Sequence, residues 1–246
     1  MNTPLSRKST VKEIRERFDA DVERFLRLET GQTATMDAAM VLDILAESTV
    51  AATPRIRRVL DLGCGAGNNS LRLARAVDEP FEVDLLDVSE AMVRRAGERF
   101  AAETKCGTRG IVGDFREVEL TDETYDVVLA AAVLHHLRDD ADWLAAFEKL
   151  YRIVAPGGGV WISDLVSHED AGVPRLMERR YGDYLVGLGG ESYRDKVFAH
   201  IDREDSPRPV TYQLDLLRRV GFTRVELLHK NALFAALFAQ KGTGVI

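Results

Sequence analysis

The sequence predicts an α/β fold, a mostly parallel sheet with helices on both faces, and three observations carry that prediction. Short apolar runs alternate with helical periodicities between residues 56 and 164. The run Tyr125-Asp126-Val127-Val128-Leu129-Ala130-Ala131-Ala132-Val133-Leu134 shows no in/out alternation, as expected of a central strand buried on both faces. The run Val59-Leu60-Asp61-Leu62 passes straight into Gly63-Cys64-Gly65-Ala66-Gly67-Asn68, a strand joined to a helix through glycines in alternate positions.

Taken in order, the elements begin with a helical cap. Val11, Ile14, Phe18, Val22, Phe25 and Leu26 recur at helical intervals and predict a helix over Val11 to Leu28. Met36, Met40, Leu42 and Leu45 predict a second over Thr33 to Glu47. The glycine turn then sets a nucleotide-like ligand at a strand tip, because glycine lets backbone approach a ligand where a Cβ would collide. A dinucleotide fingerprint reads G-x-G-x-x-G, whereas here the third glycine comes one residue early and Asn68 takes its place. Asp61, two residues before the first glycine, would repel a pyrophosphate and favour a cation.

The second strand, Phe81 to Leu86, ends at Asp87, about twenty residues beyond Gly67, where a nucleotide-binding βαβ unit puts its ribose-binding carboxylate. Ser89 is a good N-cap for the helix that follows, with Glu90 in its first turn. Arg109 to Val112 is a short third strand leading into Gly113-Asp114-Phe115. The unalternated fourth strand leads to His135-His136-Leu137, and Pro156-Gly157-Gly158 introduces a fifth, Gly159 to Asp164. A helix over Val210 to Val220, a strand from Thr223 to about His229 and another within Asn231 to Gln240 complete the chain.

The D-x-G-x-G-x-G turn, the acidic end of strand two, Gly-Asp-Phe after strand three, L-H-H-L after strand four and Pro-Gly-Gly before strand five resemble, in this order, the class I S-adenosylmethionine-dependent methyltransferases. The resemblance implies a Rossmann-like seven-stranded sheet with one antiparallel strand near its edge. It implies S-adenosyl-L-methionine as cofactor and S-adenosyl-L-homocysteine as product. It places Asp61, Gly63, Cys64, Gly65 and Gly67 at the cofactor floor, with Asp87 on the ribose and Val88 and Met92 beside it. Gly113, Asp114 and Phe115 would read the adenine, and Ala130 and Ala131 would flank the methionyl part. The organisation expected is a helical cap (1–54), a cofactor-binding core (55–164), a substrate lid (165–209), and a C-terminal helix and hairpin (210–246). In the family such a cap often closes over the cofactor, which makes Thr33 to Met36 a gate or part of the core.

Methyl transfer is an in-line displacement at carbon, so alignment and exclusion of water can carry much of it. His135 and His136, at the carboxyl end of strand four, are the candidates for a general base, with a positioning role as the other reading. Metal binding is not expected: His135, His136, Asp139 and Asp140 cluster locally, but adjacent histidines rarely share an ion and no third ligand shows the spacing. In the lid, Tyr181, Tyr184, Tyr193, Arg194 and His200 are substrate candidates, able to stack on a planar acceptor or bind an anionic one, unless the tyrosines simply pack beneath the lid.

A net charge of −7 and a pI near 5.4 argue against a broadly basic, duplex-binding surface. No apolar run reaches membrane-spanning length, and Met1 to Thr10 has no apolar signal core. Cys64 and Cys106 read as reduced thiols, so a cytoplasmic location is expected. The acceptor expected is a small molecule, and a homodimer is compatible with the sequence. The distal part, Gly-Phe-Thr-Arg-Val-Glu-Leu and the terminal Phe-Ala-Ala-Leu-Phe-Ala, is also similar to enzymes that modify the wobble uridine of tRNA with a carboxylated S-adenosylmethionine. Arg194 lies near the position of their carboxylate-binding arginine without aligning cleanly. The glycine turn is also compatible with a cofactor-binding module that lacks catalysis. A nicotinamide oxidoreductase would need a hydride-transfer site and a pyrophosphate beside Asp61.

Overall fold

The computed structural model describes residues 3–20, 33–170 and 172–244. Seven strands form one sheet: β1 (Arg58–Leu62), β2 (Glu82–Asp87), β3 (Gly107–Val112), β4 (Tyr125–Ala131), β5 (Val154–Leu165), β6 (Arg224–Asn231) and β7 (Phe234–Gln240). Their spatial order is 3-2-1-4-5-7-6. β7 runs antiparallel to both its neighbours, β5 and β6, while β1 to β5 pair in parallel. This is the sheet with one reversed strand that the motifs imply.

The helices are α1 (Val11–Ala20), α2 (Ala38–Ala52), α3 (Asn68–Ala74), α4 (Glu90–Glu103), α5 (Asp140–Ile153), α6 (Val173–Glu204) and α7 (Val210–Val220). Alternating side chains of the central strands feed two apolar layers. Leu60, Leu62, Val128, Ala130, Val160 and Ile162 pack with Trp143, Phe147 and Leu150 of α5 and Leu216 and Leu217 of α7. Val59, Val127, Leu129 and Trp161 face the opposite way, onto α2, α3 and α4 through Leu45, Leu71, Ala96 and Phe100. Each such large side chain, fully buried, contributes roughly 1.5–3 kcal/mol relative to exposure. A third cluster, Leu165, Tyr181, Leu185, Ile201, Ala232 and Leu233, fills the space under α6.

Two elements start elsewhere than the sequence expectation puts them, and the expected end of a third lies outside the described residues. The first cap helix is described only to Ala20, and the expected contributors Val22, Phe25 and Leu26 lie outside the described residues. The second starts at Ala38 rather than Thr33, because Asp37 adopts φ 59°, a left-handed conformation that interrupts the helical path. β5 begins at Val154, so Pro156-Gly157-Gly158 is no turn before the strand. It lies within it, where the pairing with β4 shifts register between Tyr125 and Val127.

α4 starts as its cap predicts, Ser89 accepting from the Met92 N–H at 3.2 Å. Helix α6, in the segment expected as a lid, is two helical segments broken at Gly189 and Gly190, the latter at φ 78°. Its exit returns to the sheet: Ser206 N donates to the His135 carbonyl at 2.7 Å, and Ser167 pairs with Pro209.

Candidate active site

The carboxyl ends of β1, β2 and β4 converge on the glycine turn. Gly63, Gly65 and Gly67 have φ of 65°, 48° and 80°, all in the left-handed region that glycine adopts without strain. The backbone N–H groups of the turn are used internally: Cys64 donates to Leu86 O, Gly65 to Asp87 Oδ2 and Gly67 to Cys64 O. The glycines therefore supply shape more than donors. A Cβ on Gly65 would meet no atom within 4 Å, which marks the open side of the cradle. Arg99 of α4 clasps the turn from behind, bonding Ala66 O at 2.6 Å and Asn68 Oδ1 at 2.7 Å.

Asp61 lies beneath the turn, 1% exposed. Its Oδ2 accepts from the Ser70 hydroxyl, while its Oδ1 has no hydrogen-bond partner. Burial pushes this carboxyl up to about 7, against the pull of the Ser70 bonds. Burial and the carboxylates Asp87 and Asp61 push the Cys64 thiol upward, which keeps it protonated and inert. At the tip of β2, Asp87 receives the Gly65 and Ser89 N–H groups, each at 2.9 Å. Each carboxylate oxygen has a second lone pair, so capacity remains for hydroxyl donors. The ribose and helix-entry readings of Asp87 are thus compatible.

Met92 is buried beside this point, and Val88 follows Asp87 in the chain. Ser89 also donates to Asp19 of α1 at 2.5 Å, drawing the cap onto the site. Asp114, after Gly113, grips Arg116 through both carboxylate oxygens, at 2.6 to 3.1 Å. Burial would raise the Asp114 carboxyl, but the Arg116 bonds and charge outweigh it and hold the group below the usual carboxylate range. An adenine amine would share that carboxylate with the guanidinium. Phe115 is buried in the core, with the Lys149 ammonium 4.8 Å from its ring centre.

Ala130 is fully buried and Ala131 ends β4. Ala132 then takes φ 54°, an uncommon left-handed conformation for a residue with a Cβ, and throws the chain into the short helical turn Leu134–His136. That turn is anchored by Asp164 at the end of β5. Its Oδ2 accepts from the Leu134 N–H at 2.7 Å and its Oδ1 contacts Nδ1 of His135. Burial alone would lower the His135 pKa, but Asp164 and Asp205 outweigh it and lift it to about 9. Burial and the neighbouring His135 hold His136 well below its ordinary value. Asp205, just past α6, reaches both rings: its Oδ1 lies 3.6 Å from His135 Nε2 and 3.4 Å from His136 Nδ1.

The structure disperses the lid candidates. Tyr181 donates to Ala34 O at 2.8 Å and Tyr184 to Thr33 O at 2.7 Å, so both tie the lid to the cap turn. Tyr193 packs against the cluster beneath the lid. Arg194 pairs with Glu191 and Asp195, beside a surface cleft of about 310 Å³ that Arg175 and Arg179 also line. His200 lies 3.5 Å from Glu204, which is itself held by Arg17 of α1 at 2.7 Å. Sequence reasoning did not single out Asp164, Asp205, Arg17, Ser70 or Arg99. Only Asp164 carried a local signal, as the acidic end of a strand on the ligand side of the sheet.

The residues present fit S-adenosylmethionine: a side-chain-free cradle, an orphaned buried carboxylate oxygen suited to a cation, and a second carboxylate at the tip of β2. Residues 59–158 match the sequence model of a methyltransferase domain. That segment is a methyltransferase domain, similar to the domain that class I S-adenosylmethionine-dependent methyltransferases carry.

Its relatives include phosphoethanolamine N-methyltransferase 3 of Arabidopsis thaliana, 31% identical over 155 residues, which are 61% of this chain and 30% of the plant enzyme. The chain thus spans under a third of that relative's length. Carboxy-S-adenosyl-L-methionine synthase of Klebsiella pneumoniae is 28% identical over 190 residues, covering 75% of this chain and 74% of the synthase. In fold, human N-acetylserotonin methyltransferase in complex with S-adenosylmethionine superposes with a TM-score of 0.60 at 21% identity, over 95% of this chain and 57% of that one. Among the described residues, no helix is long and apolar enough to cross a membrane.

Proposed function

We propose that this protein transfers a methyl group from S-adenosylmethionine to a small-molecule acceptor held beneath the α6 lid. The observation that carries the reading is Asp61 Oδ1, buried and without a partner at the tip of β1. Asp61 supplies negative charge to a cationic ligand, the three glycines leave room for its body, and Asp87 accepts from its ribose. Asp114 and Phe115 border the adenine, and Ala130 and Ala131 line the approach to the reacting carbon. When bound, the cofactor supplies a methyl group already activated by a positive sulfur.

The protein's own task is to align the acceptor and exclude water. α6 roofs this edge of the sheet, tied down through Tyr181, Tyr184 and the Arg17–Glu204 pair. Of the two histidines after β4, His135 has its pKa lifted to about 9 and keeps its proton at neutral pH, which gives it a positioning role, while His136 is held uncharged. An acceptor of limited size suits a net charge of −7, which gives no wide basic surface for nucleic acid.

The similarity to the carboxy-S-adenosylmethionine synthase favours a second reading, in which the cofactor is converted to or used in its carboxylated form. Calorimetric titration with S-adenosylhomocysteine, with NADH and carboxy-S-adenosylmethionine in parallel cells, tests both. Saturable binding of S-adenosylhomocysteine, followed by label transfer from methyl-labelled cofactor to a small-molecule fraction, is the expected result. Preference for the carboxylated ligand would favour the second reading, and binding of NADH alone would overturn both.

A further inference from the structure

Three groups from distant parts of the chain meet at the end of β4. His135, His136 and Asp205 each offer one ligand atom, and these atoms lie within 4.8 Å of one another, with His135 Nε2 and His136 Nδ1 both turned toward Asp205 Oδ1. The two nitrogens stand 3.6 and 3.4 Å from the oxygen, too far for good hydrogen bonds. They are close to the edge of a tetrahedron of ligands set at ~2.0–2.1 Å from a central ion, which is about 3.3–3.4 Å.

Both Asp205 Oδ1 and His136 Nδ1 are buried atoms with no hydrogen-bond partner, and Asp205 is only 4% exposed. A buried carboxylate oxygen left unpaired costs about 1–3 kcal/mol or more, and an ion between these atoms would satisfy both orphans together. The orientation of His135 points the same way. Asp164 contacts its Nδ1, and Asp164 is itself fixed by the N–H groups of Leu134, His135 and Leu165 at 2.7, 3.2 and 2.7 Å. A carboxylate on one ring nitrogen, turning the other toward a shared point, is the usual outer support of a metal-binding histidine.

We propose that His135, His136 and Asp205 form a binding site for a divalent first-row transition ion of the zinc class, with an open position toward the acceptor. One carboxylate and two imidazoles match the ligand preferences of such ions and are unlike the all-oxygen cages of calcium or magnesium. The side chains of His135 and His136 keep 12% and 19% exposure, which leaves a path for the ion and for a further ligand. Only the assignment of the open position to the acceptor rests on the methyl-transfer reading; ion binding does not.

The test is a cobalt(II) titration of the chelator-treated full chain, read by visible d–d absorption, followed by displacement with zinc. The expected result is one saturable equivalent, bleached by zinc, with affinity at least tenfold lower in His136→Ala and in Asp205→Asn. Asp164→Asn should weaken binding by roughly 10–100-fold, the range for loss of an outer-shell partner. Retained S-adenosylhomocysteine binding by each variant shows that it is folded, and thermal melting of the variants serves the same end. No cobalt spectrum, or equal affinity in wild type and both ligand variants, overturns the site. Cobalt binding without S-adenosylhomocysteine binding would leave the ion site standing and remove the methyltransferase reading, and the reverse would do the opposite.

Discussion

Gly63 stands directly beneath Val133: a Cβ on Gly63 would lie 2.8 Å from both Cβ and Cγ2 of that valine. The strained turn after β4 therefore closes down on the glycine turn after β1, and the two are built to fit each other. Gly63→Ala meets this clash as well as a φ of 65°, so it is expected to destabilise the fold by about 1–3 kcal/mol. Gly65→Ala meets no atom and suffers backbone strain alone, but its methyl enters the cradle. Urea melts together with calorimetry should separate them, with Gly63→Ala losing more stability and Gly65→Ala more of its cofactor affinity relative to stability.

Asp61 is expected to make cofactor binding depend on pH. With its carboxyl pushed up to about 7, it is largely protonated at pH 6 and must ionise to favour a cation. Affinity for S-adenosylmethionine should rise as the pH climbs through about 7 and level off above it. Asp61→Asn should flatten this dependence, as read by titrations at pH 6, 7 and 8. The same shift acts oppositely on the unliganded fold, whose stability should fall as the pH rises from about 4 to about 7, because the unfolded carboxyl ionises over that range while the buried one keeps its proton. A wild-type affinity that does not change across that range would remove Asp61 from the cofactor site.

Asp87 joins the glycine turn to the start of α4 through the N–H groups of Gly65 and Ser89. Asp87→Ala should weaken S-adenosylhomocysteine binding by about 1.5–3 kcal/mol, the range for hydrogen bonds to a charged group. Asp87→Asn keeps one acceptor oxygen and should lose less. Equal affinities in calorimetry across the three proteins would show that no ligand touches this carboxylate.

Away from the ligand, Asp84 of β2 is a buried carboxylate held by Arg109 at 2.5 and 3.0 Å, Tyr125 at 2.6 Å and Arg58 at 3.3 Å. Burial raises its pKa, but the Arg109 and Tyr125 bonds and the two arginine charges outweigh it, and the group titrates below its usual value. Its stabilisation is complete above about pH 4 and is lost as the pH falls through the native value. Tyr125→Phe should cost about 1.5–3 kcal/mol at pH 7. In acid melts the gap between variant and wild type should narrow below pH 4; a gap that stays constant would show that Asp84 ionisation is not involved.

The glycine turn and its two carboxylates were legible in the sequence because their parts are short-range. Strand, glycines and helix start lie within ten residues, and Asp87 comes at a distance fixed by one βαβ unit. The one reversed strand was legible only through family resemblance, since the pattern of β6 and β7 shows a hairpin but not where it inserts. The environment of His135 and His136 was not legible. Asp205 reaches them from the far end of a lid whose path depends on a break at Gly189 and Gly190. For the same reason the tyrosines of α6 read equally as substrate contacts and as packing beneath the helix, and in the fold Tyr181 and Tyr184 bond the carbonyls of Ala34 and Thr33. Side-chain type records the capacity to stack or bond, and only the packed chain selects the partner.

The placement of β7 between β5 and β6 bears on how the protein is made. During synthesis β1 to β5 emerge in an order that lets each join a neighbour already present, yet β5 then offers a bare edge along Val160, Trp161 and Ile162. That edge stays open until residues 234 to 240 leave the ribosome, well after the lid and α7 have been translated. An exposed apolar strand edge is a template for pairing with other chains. The nascent protein therefore passes through a stage in which most of its core can form while its sheet is still able to join a neighbour's, and slowing translation between the codons for Glu204 and Gln240 would lengthen that exposure.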